Sequence, residues 1–250
     1  IFCGETFAKA GINRHLQTHL KQKTTETATG KSFLVKVETS QRWGSTPYFL
    51  SLWVNGGTTM EQIDTFLRQI WLECCGHMSS FTNMQNRKRG NMWDFFEAER
   101  LLSQGKQKEY EKLMEETKGE IPMSRKADNV FSKGLKLKYE YDFGSTTELL
   151  LLVVEEYQLR ADEDIVLLSR NEPLGWLCDS CKKEPATKIC TVHGWEEDTM
   201  FCDKCAKTHA QKCGDFEDYA AMPVATSPRM GVCGYEGGSI DTERDVMSVM

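Results

Sequence analysis

The sequence predicts an α+β fold: a largely antiparallel sheet with packed helices, plus small Cys/His modules at both ends. Three observations predict it. The stretch LKLKYEYDFG alternates apolar and polar residues with the period of a strand. The run TTMEQIDTFLRQIWLECC repeats its apolar residues with the period of a helix. Cysteines and histidines concentrate toward the two ends, while the middle keeps an ordinary apolar pattern.

Taken in order, FLVKVET (33–39) and YFLSLWVN (48–55) read as strands from their β-branched and aromatic content. A helix follows, with Thr58 and Glu61 as a capping box. Its apolar face runs through Met60, Ile63, Phe66, Leu67, Ile70, Trp71 and Cys74. Residues 91–117 read as a second helical region, with an apolar stripe through Trp93, Phe96, Leu101 and Leu102. In LKLKYEYDFG, Leu135, Leu137, Tyr139, Tyr141 and Phe143 share one side, and Lys136, Lys138, Glu140 and Asp142 the other. Residues 147–157 and 165–168 add strands.

The C-terminal cysteines follow a spacing that carries chemistry. It runs Cys178-x2-Cys181-x8-Cys190-x2-His193-x8-Cys202-x2-Cys205-x3-His209-x3-Cys213. These eight ligands suit two four-coordinate zinc ions, because a C-x2-C knuckle aims two sulfurs at one tetrahedral edge. AKTHAQKC reads as a helix, so His209 and Cys213 share a face. Two pairings are open. A cross-brace joins Cys178, Cys181, Cys202 and Cys205 at one ion, and Cys190, His193, His209 and Cys213 at the other. A sequential scheme joins the first four and the last four. The cross-brace is favoured, because its first site has zinc-ribbon form and the whole resembles B-box-type modules. A single zinc, with Cys190 and His193 as bystanders, is the simpler alternative. With every ligand supplied by protein, neither ion keeps the open position that catalysis needs. Cys233, outside the pattern, reads as a small buried residue.

The opening FCGETFAKAGINRHLQTHL offers Cys3, Phe7, Ile12, His15 and His19, with the histidines four apart. It resembles the second half of a C2H2 zinc finger, which would bind one zinc if a first cysteine stands immediately before Ile1. Eleven residues separate Cys3 from His15, where the DNA-reading form has twelve. The base-facing positions become Ala8, Gly11 and Arg14, of which only Arg14 can reach a base edge with hydrogen bonds. Sequence-specific reading by this finger alone is therefore not expected. Phosphate contact through Lys9, Arg14, Lys21 and Lys23 is a candidate, as is the run Arg87-Lys88-Arg89, whose ordinary reading is a solvated turn.

GLKLKYEYDFGSTTELLLLVVEEY is similar to the signature strand pair of the plasmid pRiA4b ORF-3-like family, and MEQIDTFLRQIWLECCGHMSSF to that family's first helix and following strand. SPRMGVCGY, the preceding zinc module and the leading finger resemble accessory regions of some members. The resemblance implies a fold and an association with insertion elements, and no catalytic residues. The resemblance covers 33–170, and with the motif spacing and charge pattern it divides the chain into a partial finger (1–20), a linker (21–32), the α+β domain (33–170) with a helical insertion near 91–120, a zinc module (176–214) and an acidic tail (215–250).

Composition limits the function classes. The chain has 250 residues, 40% of them hydrophobic, enough for one main domain plus small modules. Its net charge of -6 argues against a generic polyanion binder. The charge is uneven, with a basic head at residues 1–25 and an acidic tail at 214–250. No apolar run approaches the roughly 18 residues that span a membrane. Thiolates kept for metal imply a reducing compartment, so a cytoplasmic location is expected.

Asp142-Phe143-Gly144 spells the kinase metal-binding triplet, but the other kinase motifs are missing; the aspartate is expected at a strand end, with Gly144 making the turn. Cys75 with His77 offers a thiol nucleophile beside a base. Three functions compete: a non-enzymatic zinc protein associated with DNA or RNA, a protein-interaction adaptor with structural zinc, and a cysteine-dependent enzyme using Cys75 and His77. The first is favoured and the third ranks last.

Overall fold

The computed structural model describes residues 3–23, 29–40, 48–85, 92–193 and 199–244. They form two units. The first comprises Ile1–Thr65, Met78–Tyr141 and Glu148–Asn171; the second comprises Phe66–His77, Asp142–Thr147 and Glu172–Met250.

In the first unit, helix α1 (Lys9–Lys23) buries Ile12, Leu16 and Leu20, which are four apart and so share one face. It continues three residues into the stretch expected as a linker. Strands β1 (Ser32–Thr39) and β2 (Phe49–Asn55) pair antiparallel, with Val35 opposite Leu52. Every residue of β2 is buried, so both of its faces are covered. The α1 stripe packs against Leu34, Phe49, Trp53, Tyr157, Leu159, Ala161 and Leu168. Ser51 Oγ, on the same face, donates to Asn13 Oδ1 at 3.1 Å.

Helix α2 (Met60–Leu67) starts one residue later than its sequence suggests. Thr59 Oγ1 accepts from Gln62 N, and Gln62 Oε1 accepts from Thr59 N, so the box is Thr59/Gln62. Thr58 is buried, and its hydroxyl instead donates to Asp164 O at 2.9 Å. The helix then widens into a π-turn, Arg68–Leu72, closed by Glu73 N on Arg68 O. The wider turn buries Ile70, Trp71 and Leu72 consecutively. Glu73 is extended, so Cys74 leaves the helix instead of continuing its apolar face.

Strand β3 (Ser79–Asn83) leads to α3 (Met92–Ser103) and α4 (Gln107–Lys118), the latter capped by left-handed Gly119. The expected stripe is only partly buried. Ala98, Leu101 and Met114 are covered, whereas Trp93 is 80% exposed, Phe96 53% and Leu102 50%. After β4 (Glu120–Ile121) and the short α5 (Ala127–Val130), β5 (Lys136–Tyr141) buries Leu137, Tyr139 and Tyr141. The alternation stops there. Asp142 turns left-handed at φ 62°, its Oδ1 accepts from Gly144 N, and Phe143 is exposed.

Strands β6 (Thr147–Tyr157) and β7 (Ile165–Arg170) complete a seven-stranded antiparallel sheet in the order β4-β3-β5-β6-β1-β2-β7. Buried Asn55 pins the β6–β7 connection, donating to Ala161 O and Glu163 O and accepting from Ala161 N. The architecture is α+β, as expected.

The second unit contains a small sheet of β8 (Lys188–Cys190), β9 (Met200–Phe201) and β10 (Ala221–Pro223), in the order β10-β8-β9, with helix α6 (Asp203–Ala210) following β9. The start of the acidic tail is packed structure: Phe216, Ala220, Ala225 and Tyr235 are buried there.

Candidate metal centres

The first knuckle turns at Lys182, which adopts φ 54°, with Lys182 N donating to Cys178 O at 2.8 Å. Asp179 seats it on β9: its Oδ2 accepts from Thr199 N and Met200 N, and its own amide donates to Met200 O. Cys202 stands at the N-cap of α6, and Cys205 lies in the first turn. The four sulfurs of Cys178, Cys181, Cys202 and Cys205 fall within 4.8 Å of one another. The backbone amides of Glu184 and Lys183 hold the Cys181 thiol down to about 6, while the hydrogen bond with Cys202 pushes Cys205 up to about 12. Four sulfur donors gathered at one point suit a soft or borderline cation at their centre.

The second cluster is Cys190, His193, His209 and Cys213, again within 4.8 Å. Cys190 closes β8, and its Sγ lies 3.2 Å from His193 Nδ1. Burial raises the Cys190 thiol. Helix α6 ends at Ala210, but Cys213 N still donates to His209 O at 2.9 Å, so the four-residue spacing survives past the helix. The His209 ring stacks on Phe201 at 4.2 Å and meets Phe216 edge-on at 4.9 Å. The donors therefore pair as the cross-brace, and the sequential scheme does not describe them.

At the other end of the chain, Cys3, His15 and His19 converge. Cys3 Sγ is 3.1 Å from His15 Nε2, which is 3.0 Å from His19 Nε2, and Phe7 stacks on His15 at 3.9 Å. Each of the three groups has the soft or borderline donors that zinc takes.

The candidate phosphate-binding residues are less concentrated. Arg14, Lys21 and Gly11 are exposed on α1, and Ala8 is exposed just before it. Lys23 is half-buried, its Nζ 6.0 Å from the Trp53 ring centre. The side chain of Lys9 and the run Arg87, Lys88 and Arg89 lie outside the described residues.

Cys75 Sγ lies 2.9 Å from His77 Nε2, as a thiol–base pair requires. The hydrogen bond with Cys233, followed by burial and Cys74, pushes the Cys75 thiol up to about 12, the opposite of an activated nucleophile. Cys233 is exposed, contrary to its reading as a small buried residue. No sequence spacing pointed to it, because it stands far along the chain from Cys75.

None of the ten cysteines forms a disulfide. Among the described residues, no helix is long and apolar enough to cross a membrane. No protein-family model matches the chain. No curated protein matches it either. Among solved structures it is similar to a protein of unknown function, MM3350, from Methanosarcina mazei Go1, at 14% identity. That likeness covers 57% of this chain and 70% of the other, with a TM-score of 0.37.

Proposed function

We propose that this chain is a non-enzymatic, zinc-organised interaction protein of the reducing cytoplasm. The observation that carries the reading is the division of eight C-terminal donors into two closed sets of four, braced through α6. A zinc surrounded by four protein ligands holds a fold together and keeps no position for substrate. The strand pair β5–β6 and helix α2 support a pRiA4b ORF-3-like domain at the centre. Ten cysteines outside any disulfide suit a reducing compartment.

Nucleic acid is the favoured partner. Its support is the finger-like Cys3, His15 and His19 set and the exposed cations Arg14 and Lys21 on the same helix. Contact of this kind is electrostatic and falls steeply with salt. The second reading is a protein partner, supported by the exposed Trp93, Phe95 and Phe96 on α3.

Binding of labelled DNA and RNA across a salt series, with and without chelator, separates these readings. Salt-sensitive, chelator-sensitive binding that weakens in Arg14→Ala/Lys21→Ala supports the first. Absence of binding at low salt rejects it and turns attention to the α3 face. The zinc claim is checked separately by elemental analysis: less than one zinc per chain refutes it.

A further inference from the structure

The segment after α2 and the segment around Cys233 are shaped to present four donors to a single point. The Glu73 carboxylate organises the first. Its Oε1 accepts from Gly76 N at 2.6 Å, and its Oε2 accepts from Arg68 Nη1 at 3.0 Å. Arg68 Nη2 also donates to His77 O at 2.7 Å, and Gly76 turns left-handed at φ 74°. This closes a tight loop that leaves Cys74, Cys75 and His77 side by side.

Cys233 is presented by a turn of its own. Val232 N donates to Arg229 O, and Tyr235 N donates to Val232 O. Cys233 sits between Gly231 at φ 74° and Gly234 at φ 69°, and itself adopts φ 51°. A cysteine gains nothing from that left-handed backbone locally, so the conformation is held for where it sends the sulfur. The turn is anchored on both sides by Arg229 and Tyr235, neither with any exposed surface. Ser227 Oγ donates to Trp71 O at 2.6 Å and Ser239 N to Gln69 O at 2.7 Å, fastening this segment to the π-turn.

We propose that Cys74, Cys75, His77 and Cys233 form a further zinc site of the Cys3His class, independent of either partner reading above. The four donor atoms lie within 4.8 Å of one another. The sulfur–sulfur distances, 3.8 Å for Cys74–Cys75 and 3.6 Å for Cys75–Cys233, match the edge of about 3.8 Å that tetrahedral zinc–sulfur bonds define. The sulfur–nitrogen edges are tighter, with His77 Nε2 2.9 Å from Cys75 and 3.2 Å from Cys233. A nucleophilic dyad uses one thiol per imidazole; here one ring nitrogen faces two thiols, with a third beside them.

Charges of both signs face the donors: Asp142 Oδ2 lies 3.6 Å from His77 Nε2, and Arg229 lies beside Cys74. Zinc displaces three thiol protons to solvent, and three thiolates with a neutral imidazole leave the centre at one net negative charge. The guanidinium of Arg229, with Nη2 3.7 Å from Cys74 Sγ, stands against that charge. Asp142 Oδ2 accepts from Arg229 Nη2 at 2.5 Å, and Ser145 O and Thr147 Oγ1 accept from Nη1, so the cation is fixed in place. The site thereby staples the loop after the π-turn to a segment 156 residues further along.

The full chain, purified in reducing buffer and loaded with zinc alone, tests this. Native mass spectrometry of wild type against Cys233→Ser and His77→Ala is expected to show one zinc fewer in each variant, with His77→Cys retaining the wild-type number. Cys202→Ser removes metal from the first knuckle cluster instead, which keeps failure of this site distinct from failure of that one. Should a variant not fold, thiol mapping of wild type decides. Cys75 and Cys233 are exposed and alkylate rapidly unless masked by metal. Protection of both that chelator abolishes supports the site. Unchanged zinc content in folded Cys233→Ser and His77→Ala, rapid alkylation with zinc bound elsewhere, or a Cys75–Cys233 disulfide in the zinc-loaded chain overturns it.

Discussion

Cys205 and His209 stand four residues apart on α6, yet they belong to different Cys/His clusters. One short helix therefore contributes to both sites, Cys205 with the knuckle sulfurs and His209 with Cys190, His193 and Cys213. An ion bound at either cluster would therefore brace the helix that carries a donor of the other.

Cys205→Ser and His209→Ala should each remove one zinc, and each should weaken retention at the other cluster. The reason is that structural zinc supplies roughly 10–16 kcal/mol of apparent folding free energy to a small module. Chelator titration followed by elemental analysis reads this. Full independence of the two losses would contradict the shared brace.

Helix α1 is part of the core of the first unit. Leu20→Ala should destabilise that unit by about 2–5 kcal/mol, as large-to-small core changes do. Arg14→Ala, on the exposed side, should stay within about 0.5 kcal/mol of wild type. Denaturant midpoints give both values. A finger folding apart from the sheet would leave Leu20→Ala silent on the strands.

The cap register of α2 is open to a similar comparison. Thr59→Ala should cost about 1 kcal/mol, the usual loss when a capping oxygen is removed. Glu61→Ala, exposed and one position off the box, should cost less than about 0.5 kcal/mol.

Glu120 supplies a pH signature. Burial raises its carboxyl above the ordinary value, with Glu140 adding to the shift and Lys118 opposing it. A carboxyl raised on folding binds its proton more tightly in the native state. Stability is therefore complete below the ordinary value of 4.5 and falls as pH rises through the folded value. Glu120→Gln should be more stable than wild type at pH 7, with the difference shrinking toward pH 4. The difference in denaturant midpoint between the two proteins checks the sign.

Trp93 is exposed, so Trp93→Ser should change stability by no more than about 0.5 kcal/mol. Binding of a defined protein partner, if α3 is its docking face, should fall tenfold or more in the same variant, since exposed tryptophans dominate such contacts. A partner that still binds Trp93→Ser unchanged uses another surface.

Local chemistry was legible in the residues themselves. The paired donors within each C-terminal knuckle, the histidine pair of α1, the amphipathic face of α2 and the alternation from Leu135 to Tyr141 all depend on contacts a few residues apart. Turn geometry and helical or strand period govern such contacts directly. What lay beyond reach depended on which distant groups compete. Thr58 reads as a cap until Asp164 O takes its hydroxyl, and the box then moves to Thr59 and Gln62. Phe143 continues a strand pattern until Arg229 draws Asp142 into a buried ion pair and the chain turns away from the sheet. Trp93 and Phe96 fit a helical stripe, but burial needs a facing surface, and α3 offers Ala98 and Leu101 instead. Cys233 has no ligand neighbour in sequence at all. Only the packing of its turn against the π-turn, through Ser227 and Trp71, brings its sulfur to Cys75 and His77.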